Sequence, residues 1–368
     1  MISFIKNYLR NSLGIPGGDV DIIIVSGGVS VRSKLVCLCW TGGSAEPDFV
    51  VKFARYPKYN YRVEVEYEAL RQLQTYWPHG SEYIPRPLGT TSIEGLQVTV
   101  ETSTRGRMLR AYLREHAFDY HDELKKFEPF SVWLAELHSL SSKPVSSQEL
   151  EMLIFEPLKA ATDELALSNV EQAALGLLAE KAVELCEQLP LPVVFNHNDS
   201  GTTNIMVDEV GRFTGLIDWE SGGYGLPCSD LIYFLGRYAY ETRDLGREGQ
   251  LRGYREMFFH PKGHEPGVFG SGVAQAWLAD YCRRLGIEPD WIPVLFVLCW
   301  LMHARNERNH VLGLLSEGQV LMGKPGGITQ ARSEGEETQQ GHFRSLLRIY
   351  LENLADFEAG AGLDQTSG

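Results

Sequence analysis

Apolar positions recur along this chain with two different periods, and the change from one to the other divides it. Ile2, Ile5, Leu9 and Leu13 fall at helical spacing with Lys6 and Arg10 between them, and Gly14 follows as a stop. This predicts an amphipathic helix over the first 13 residues rather than a signal peptide. Asp21 to Val25 and Lys34 to Trp40 are apolar strand runs, joined through Ser26-Gly27-Gly28-Val29-Ser30 as a Gly-rich hairpin. Gly42 to Asp48 make a further turn before a third strand, Phe49 to Arg55. The period of two puts Phe49, Val51 and Phe53 on one face of that strand and Val50, Lys52 and Ala54 on the other, so Lys52 is the charge on a small-residue face. Arg62 to Trp77 is helical. At about 100° per residue, Val63, Glu66, Leu70, Leu73 and Trp77 form one stripe, whereas Glu64, Glu68 and Arg71 lie opposite. Only Glu66 faces inward, and an inward carboxylate needs a partner, for which the inward Lys52 is the obvious one.

Ile84-Pro85-Arg86-Pro87-Leu88 reads as a rigid turn, and Leu96 to Glu101 as another strand, leading into the polar passage Thr102 to Gly106, a hinge. Beyond it the period becomes helical. Trp133, Leu134, Leu137 and Leu140 share a face with His138 one step away, read as a core-edge histidine, and Leu175, Leu178, Ala182, Leu185 and Leu189 form a second stripe. Leu191 to Phe195 is a short strand, and helices are expected around Ala274–Leu285 and Ile292–Arg308. Residues 323–341 read as a mobile loop and the final dozen as a loose tail. No internal repeat stands out, and Gly323-Lys324 lacks the spacing of a P-loop. The expected division is 1–102, 103–355 and a tail, 356–368.

Length and composition narrow the class. A chain of 368 residues can bury two sizeable cores, and 43% hydrophobic with 22% charged residues is a globular balance. The longest apolar run, Ile292 to Met302, is too short to cross a bilayer and reads as a buried helix. Six scattered cysteines, with no Cys-x-x-Cys pair, argue against a zinc or disulfide framework and suit a reducing cytoplasm. Residues 1–102 hold 10 basic and 10 acidic residues, so the whole net charge of −14 lies on 103–368. That balance argues against nucleic acid as a partner. An acidic second half suits a cationic substrate, although a solvated acidic surface is the commoner cause.

The chemistry is concentrated between Asn196 and Glu220. His197, Asp199 and Asn204 lie on a polar, turn-rich loop, and Asn204 opens an apolar strand, Ile205 to Val207, that reverses through Asp208 to Arg212. The return strand, Phe213 to Ile217, ends at Asp218. Antiparallel pairing brings the start of the first strand beside the end of the second, so Asn204 and Asp218 should be neighbours, next to Asp199. Such a set of oxygens suits a hard cation such as Mg²⁺, which completes its shell with water and phosphate, and leaves Asp199 for the nucleophile. His-x-Asp, then Asn five residues after the Asp, then an Asp beyond a hairpin, matches the kinase order of catalytic Asp, metal-binding Asn and metal-binding Asp. With those motifs downstream, Lys52 and Glu66 read as the ion pair that holds phosphates.

The chain resembles the aminoglycoside phosphotransferase and choline kinase-like family, over roughly residues 20–310. The resemblance rests on Phe49-Val50-Val51-Lys52, the helix with Glu66, the Leu137-His138-Ser139 end of a helix, His197-Asn198-Asp199 with Asn204, and Gly215-Leu216-Ile217-Asp218-Trp219-Glu220 followed by Asp230-Leu231. It implies an α+β, bilobal protein-kinase-like fold: a small N-terminal antiparallel sheet lobe with a helix, and a larger, mainly helical C-terminal lobe. It implies ATP or GTP with Mg²⁺, and a small hydroxylated substrate such as an amino alcohol, sugar, amino sugar or aminoglycoside. Asp199 would then orient the hydroxyl and accept its proton, Asn204 and Asp218 would hold Mg²⁺, and Glu220 would meet a second metal or the substrate. The implied nucleotide contacts are Lys52 and Glu66 with Ser26, Gly27, Gly28, Val50, Glu101 and Ser103. His197 and Asp230 resemble positions that brace the catalytic loop.

The sequence departs from the family pattern in that loop. Asn198 stands where the family often has Gly, and Ser200-Gly201 replaces the usual bulky residue and following polar pair. Asp218-Trp219-Glu220 is not Asp-Phe-Gly and no Ala-Pro-Glu follows, which favours a small-molecule substrate over a protein. The altered loop motivates one alternative, a nucleotide-binding pseudokinase or scaffold without turnover. A glycosidase using Asp218 and Glu220 is disfavoured, because carboxylates two residues apart on an extended end are too close to flank a glycosidic bond. The oligomeric state and the substrate are not encoded in any pattern above.

Overall fold

The computed structural model describes residues 2–14, 20–26, 33–77, 82–116, 124–241, 246–259, 271–311 and 341–354. They fall into two compact units, Met1–Leu109 with Asn204–Gly222, and Arg110–Thr203 with Gly223–Gly368. The split at residue 102 expected from sequence order therefore differs at two places: 103–109 and the hairpin of residues 204–222 belong with the N-terminal strands.

The first unit contains α1 (Ile2–Asn11), β1 (Val20–Ser26), β2 (Lys34–Thr41), β3 (Phe49–Ala54), α2 (Asn60–Tyr76), β4 (Pro87–Ile93), β5 (Leu96–Thr102) and β6 (Arg107–Met108). The first five strands make an antiparallel sheet in the order β1-β2-β3-β5-β4. β4 replaces part of the turn expected at Ile84 to Leu88. Its proline is the first residue of an edge strand, where no ladder N–H is required, and Glu94 and Gly95, both at positive φ, turn the chain into β5. One face of the sheet buries Cys37, Cys39, Val51, Phe53, Val98 and Val100 against Ile5 and Leu9 of α1. Burying two side chains of that size contributes about 2 kcal/mol each, and Tyr8 adds a hydrogen bond from its hydroxyl to the Thr90 carbonyl at 2.9 Å.

The opposite face carries Val50, Lys52 and Ala54 and is covered by α2, whose Val63, Ala69, Leu70 and Leu73 are buried. The strands Ile205–Val207 and Phe213–Leu216 pair antiparallel, and β6 joins as the third strand. Two glycines permit this. Gly106, at φ +91°, would place a Cβ 2.1 Å from the Val207 carbonyl oxygen, and a Cβ on Gly215 would stand 2.4 Å from Thr104 and 2.9 Å from the Tyr83 oxygen. That close approach lets the Leu216 N–H donate to the Tyr83 carbonyl at 2.8 Å.

The second unit is mainly helical, with Glu128–Ser141, Asn169–Gln188, Ser229–Glu241, Gly246–Phe258, Ser271–Leu285, Ile292–Val311 and His342–Glu352 as its larger helices. A three-stranded sheet is centred on Pro192–Asn196, flanked by Gly223–Gly225 and Lys143–Pro144. The helix Asn169–Gln188 starts at a capping box in which the Glu171 carboxylate accepts the Ser168 N–H at 2.6 Å and Ser168 Oγ accepts the Glu171 N–H at 3.3 Å. The Ile292 run is a buried helix, with Leu295, Phe296, Cys299 and Trp300 at most 1% exposed. No described helix is long and apolar enough to cross a membrane, and all six cysteines are free thiols. Gly27 and Gly28, the 323–341 loop up to Gly341, and the expected tail lie outside the described residues.

Candidate active site

The alternation of β3 turns Lys52 toward α2, and the helical stripe turns Glu66 toward β3. Their charges meet at 2.6 Å, Lys52 Nζ to Glu66 Oε1, with the residues 6% and 1% exposed. Lys52 also reaches Glu101 Oε1 on β5 at 2.6 Å. The Glu101 side chain shares the sheet's α2 face with Lys52 and is 4% exposed. Val50, directly opposite Glu101 in the register, shares that face at 9% exposure. Ser103 donates its N–H to the Asp48 carbonyl at 3.0 Å, and Ser26 pairs with Leu35 at the end of β1.

A residue overlooked in the sequence joins this cluster. Lys34 Nζ lies 2.6 Å from Glu66 Oε2 and 3.2 Å from Glu220 Oε2, and donates a hydrogen bond to Asp218 Oδ1. The reasoning that finds Lys52 also finds Lys34. Alternation on β2 separates Lys34, Val36 and Leu38 from Leu35, Cys37 and Cys39, and the pairing of Lys34 with Ala54 puts it on the face of β3 that bears Lys52. Arg62, in the first turn of α2, binds Glu220 Oε1. Burial opposes the charge on both lysines, yet the carboxylates around them win and raise each above its ordinary value. Burial likewise opposes ionisation of Glu66, but Lys34 and Lys52 hold it below the usual carboxylate range. Glu101 goes the other way: burial, with repulsion from Glu66, outweighs Lys52 and pushes it up to about 7.

Asp218 follows the hairpin's second strand. It takes a left-handed backbone, φ +67°, before the short 3₁₀ turn Trp219–Ser221, a conformation that Asp tolerates better than most residues. Trp219 anchors the turn, fully buried, with its indole N–H donating to the Leu216 carbonyl at 2.9 Å. The Ile217 N–H donates to the Asn204 carbonyl at 2.9 Å, so Asn204 and Asp218 stand at adjoining ends of the hairpin. The Asp218 side chain is 37% exposed. Against partial burial, the Lys34 charge holds its carboxyl below the ordinary value.

In the second unit the loop after Pro192–Asn196 wraps round one carboxylate. Asp230, fully buried, accepts the His197 N–H at 2.6 Å on Oδ2 and the Asn198 N–H at 2.8 Å on Oδ1, while its carbonyl accepts Ser200 Oγ at 2.7 Å. The Asp199 N–H donates to His197 Nδ1 at 3.1 Å, and Tyr233 donates its hydroxyl to Asp199 Oδ1 at 3.1 Å. Asn198 has φ +62°. A glycine at that position would reach the left-handed region freely, and Asn is among the side chains that tolerate it. His138 lies deeper than its expected core-edge position, at 0% exposure. Its Nδ1 is 2.5 Å from the Tyr281 hydroxyl and its Nε2 is 3.5 Å from Asp230 Oδ2.

A family model described as the phosphotransferase enzyme family matches residues 22–266, about two thirds of the chain. No curated protein matches it. Among solved structures, aminoglycoside phosphotransferase APH(3'')-Id from Streptomyces rimosus, complexed with ADP and streptomycin, is similar at 17% identity and a TM-score of 0.44, over 81% of this chain and 97% of that one. The ADP-bound aminoglycoside phosphotransferase APH(2'')-Ib is similar at 18% and 0.41, over 82% and 98%. Plasmodium vivax ethanolamine kinase is similar at 10% and 0.40, over 97% and 87%. With the family model spanning both the Lys52 strand and the loop through Asp218, the chain belongs to the phosphotransferase enzyme family.

Proposed function

We propose that this chain transfers the γ-phosphoryl group of ATP to a hydroxyl of a small metabolite, with Mg²⁺ as the metal and an amino alcohol, sugar, amino sugar or aminoglycoside as the acceptor. The observation that carries the reading is the buried Lys52–Glu66 pair, placed on the same sheet face as Lys34 and tied through it to Asp218. The donors suit a hard dication. Asp218 and Asn204 offer only oxygens suited to ligation, at adjoining hairpin ends, and a cationic group, the Lys34 ammonium, already sits against Asp218 and Glu220. When bound there, the ion would neutralise charge on the phosphates.

The remaining work falls to side chains. Lys52, kept charged and aimed by Glu66, would bind the phosphates. Asp199, its carboxylate held by Tyr233, would orient the acceptor hydroxyl and take its proton as the new O–P bond forms and the bond to the departing ADP breaks. Asn204 and Asp218 would hold the ion, with Glu220 beside them. A cationic acceptor suits the acidic balance of 103–368.

A screen of amino alcohols, sugars and aminoglycosides for coupled ADP release, with and without Mg²⁺ and with GTP in place of ATP, tests the reading. Metal-dependent release with at least one acceptor class is expected, and Asp199→Asn or Asp199→Ala should lower kcat by roughly 10²–10⁴-fold with nucleotide affinity kept. An Asp199 variant turning over at the wild-type rate overturns the assignment of the base. Nucleotide binding without turnover on any acceptor would instead indicate a pseudokinase.

A further inference from the structure

The phosphotransfer reading gives Lys34 no task, although Lys34 is the most densely paired cation of the cluster. Its side chain is 8% exposed and its ammonium meets three carboxylates: Glu66 at 2.6 Å, Glu220 at 3.2 Å, and Asp218. Glu66 is shared with Lys52, whereas Asp218 is the carboxylate proposed to hold a divalent ion and Glu220 lies beside it. We propose that Lys34 is a second phosphate-binding lysine which, until a metal–nucleotide complex arrives, serves as the internal counter-ion of Asp218 and Glu220. The inference rests on the phosphotransfer reading and adds to it a residue and an order of events.

Electrostatics and placement both lead there. Lys34 holds Oδ1 of Asp218, and an ammonium and a dication cannot share one carboxylate oxygen without strong mutual repulsion, so a metal that takes that oxygen displaces Lys34. Lysine suits displacement, because its charge sits on a flexible four-carbon stem. Lys34 springs from β2, diagonal to Lys52 across the Lys34–Ala54 and Val36–Lys52 pairs, and both lysines grip Glu66, one on each oxygen. Leaving Asp218 while keeping Glu66 therefore holds the ammonium beside Lys52, on the face where phosphates are proposed to bind. Asp218 is the partner open to exchange, at 37% side-chain exposure against 2% for Glu66. The arrangement would exclude a bare metal ion and admit one that brings phosphate oxygens for the displaced lysine.

The test measures binding, not turnover. Nucleotide-free wild-type protein and Lys34→Met are titrated with Mn²⁺, read as loss of the free-ion paramagnetic resonance signal, and metal-free ADP is titrated calorimetrically into wild type, Asp218→Asn and the double variant K34M/D218N. Lys34→Met should bind bare Mn²⁺ at least tenfold tighter than wild type. Asp218→Asn, which frees the ammonium, should bind metal-free ADP several-fold tighter than wild type, and that gain should vanish in the double variant. Equal Mn²⁺ affinity in wild type and Lys34→Met, or a gain that persists without Lys34, overturns the proposal and leaves Lys34 a structural ion pair. Should Lys34→Met fail to fold, the double variant removes both charges of the pair and strands less buried charge, so its comparison with Asp218→Asn decides alone. Wild-type protein that binds no ADP with or without Mg²⁺ would remove the phosphotransfer reading itself, an outcome distinct from nucleotide binding that is insensitive to Lys34.

Discussion

Glu66 grips Lys52 through Oε1 at 2.6 Å while its second oxygen is held by Lys34, also at 2.6 Å, so both lone-pair sides of one buried carboxylate are committed to lysines on adjacent strands. Glu66→Gln keeps the shape and deletes the charge, leaving two buried ammonium groups to share the remaining carboxylates. Breaking one side of a buried ionic cluster costs about 3–5 kcal/mol, and a loss of that size is expected in urea denaturation. Glu64→Gln and Glu68→Gln, on the exposed side of the same helix, should stay within about 0.5 kcal/mol of wild type.

Glu101 makes the cluster pH-sensitive with a sign opposite to ordinary carboxylates. Its folded-state value of about 7 lies above its ordinary 4.5, so between those limits the folded chain keeps a proton that the unfolded chain has released. Stability from this group is therefore present below about 4.5 and declines as the pH rises through 7. Glu101→Gln cannot release that proton. The stability of the variant relative to wild type should rise across this window, which a series of denaturation curves at stepped pH measures; a difference that falls with pH would refute the assignment.

Much of this was legible because the informative features are local. The period of two found the side of β3 that bears Lys52, and the helical period singled out Glu66 among three glutamates; both positions depend on their own element alone. Lys34 escaped although the alternation of its strand sets it apart from Leu35, because its importance comes from Asp218, 184 residues away. For Glu101, sequence indicated a place at the strand's end but not the contact its side chain makes with Lys52. The assignment of the hairpin at 204–222 to the N-terminal unit depends on β6 and on glycines whose close contacts with Val207 and Tyr83 no pattern announces. Asn198 was visible as a departure, but its left-handed φ was not.

That φ can be tested by substitution. Ala and Gly both remove the Asn198 side chain, so the difference between the two variants isolates the backbone. A non-glycine residue in the left-handed region costs about 1–2 kcal/mol. Asn198→Gly should therefore unfold at higher denaturant than Asn198→Ala by at least about 1 kcal/mol, and Asn198→Val should be worse than either because a branched Cβ adds to the clash. Equal stabilities for the Gly and Ala variants would mean that position 198 does not hold φ near +62°.

Asp230 is where loop shape and acid stability meet. Each of its oxygens accepts a backbone N–H, from His197 and from Asn198, at 2.6 and 2.8 Å. Asparagine supplies one such oxygen and an amino group, so in Asp230→Asn one of the two amides faces a donor instead of an acceptor. Hydrogen bonds to a charged group are worth about 1.5–3 kcal/mol, and a buried amide left unpaired adds its own penalty. A loss of about 3 kcal/mol near neutral pH is the expected result. The pH dependence separates this from a general packing defect. Burial would raise the Asp230 carboxyl, but the His138 imidazole beside it, 3.5 Å from Oδ2, and then His197, whose backbone N–H donates to it, hold it below its ordinary 3.8. Its contribution is thus complete above that value and is lost as the pH falls toward the lower folded value. The gap between wild type and Asp230→Asn should narrow on acidification below 3.8, whereas a packing defect would leave it constant.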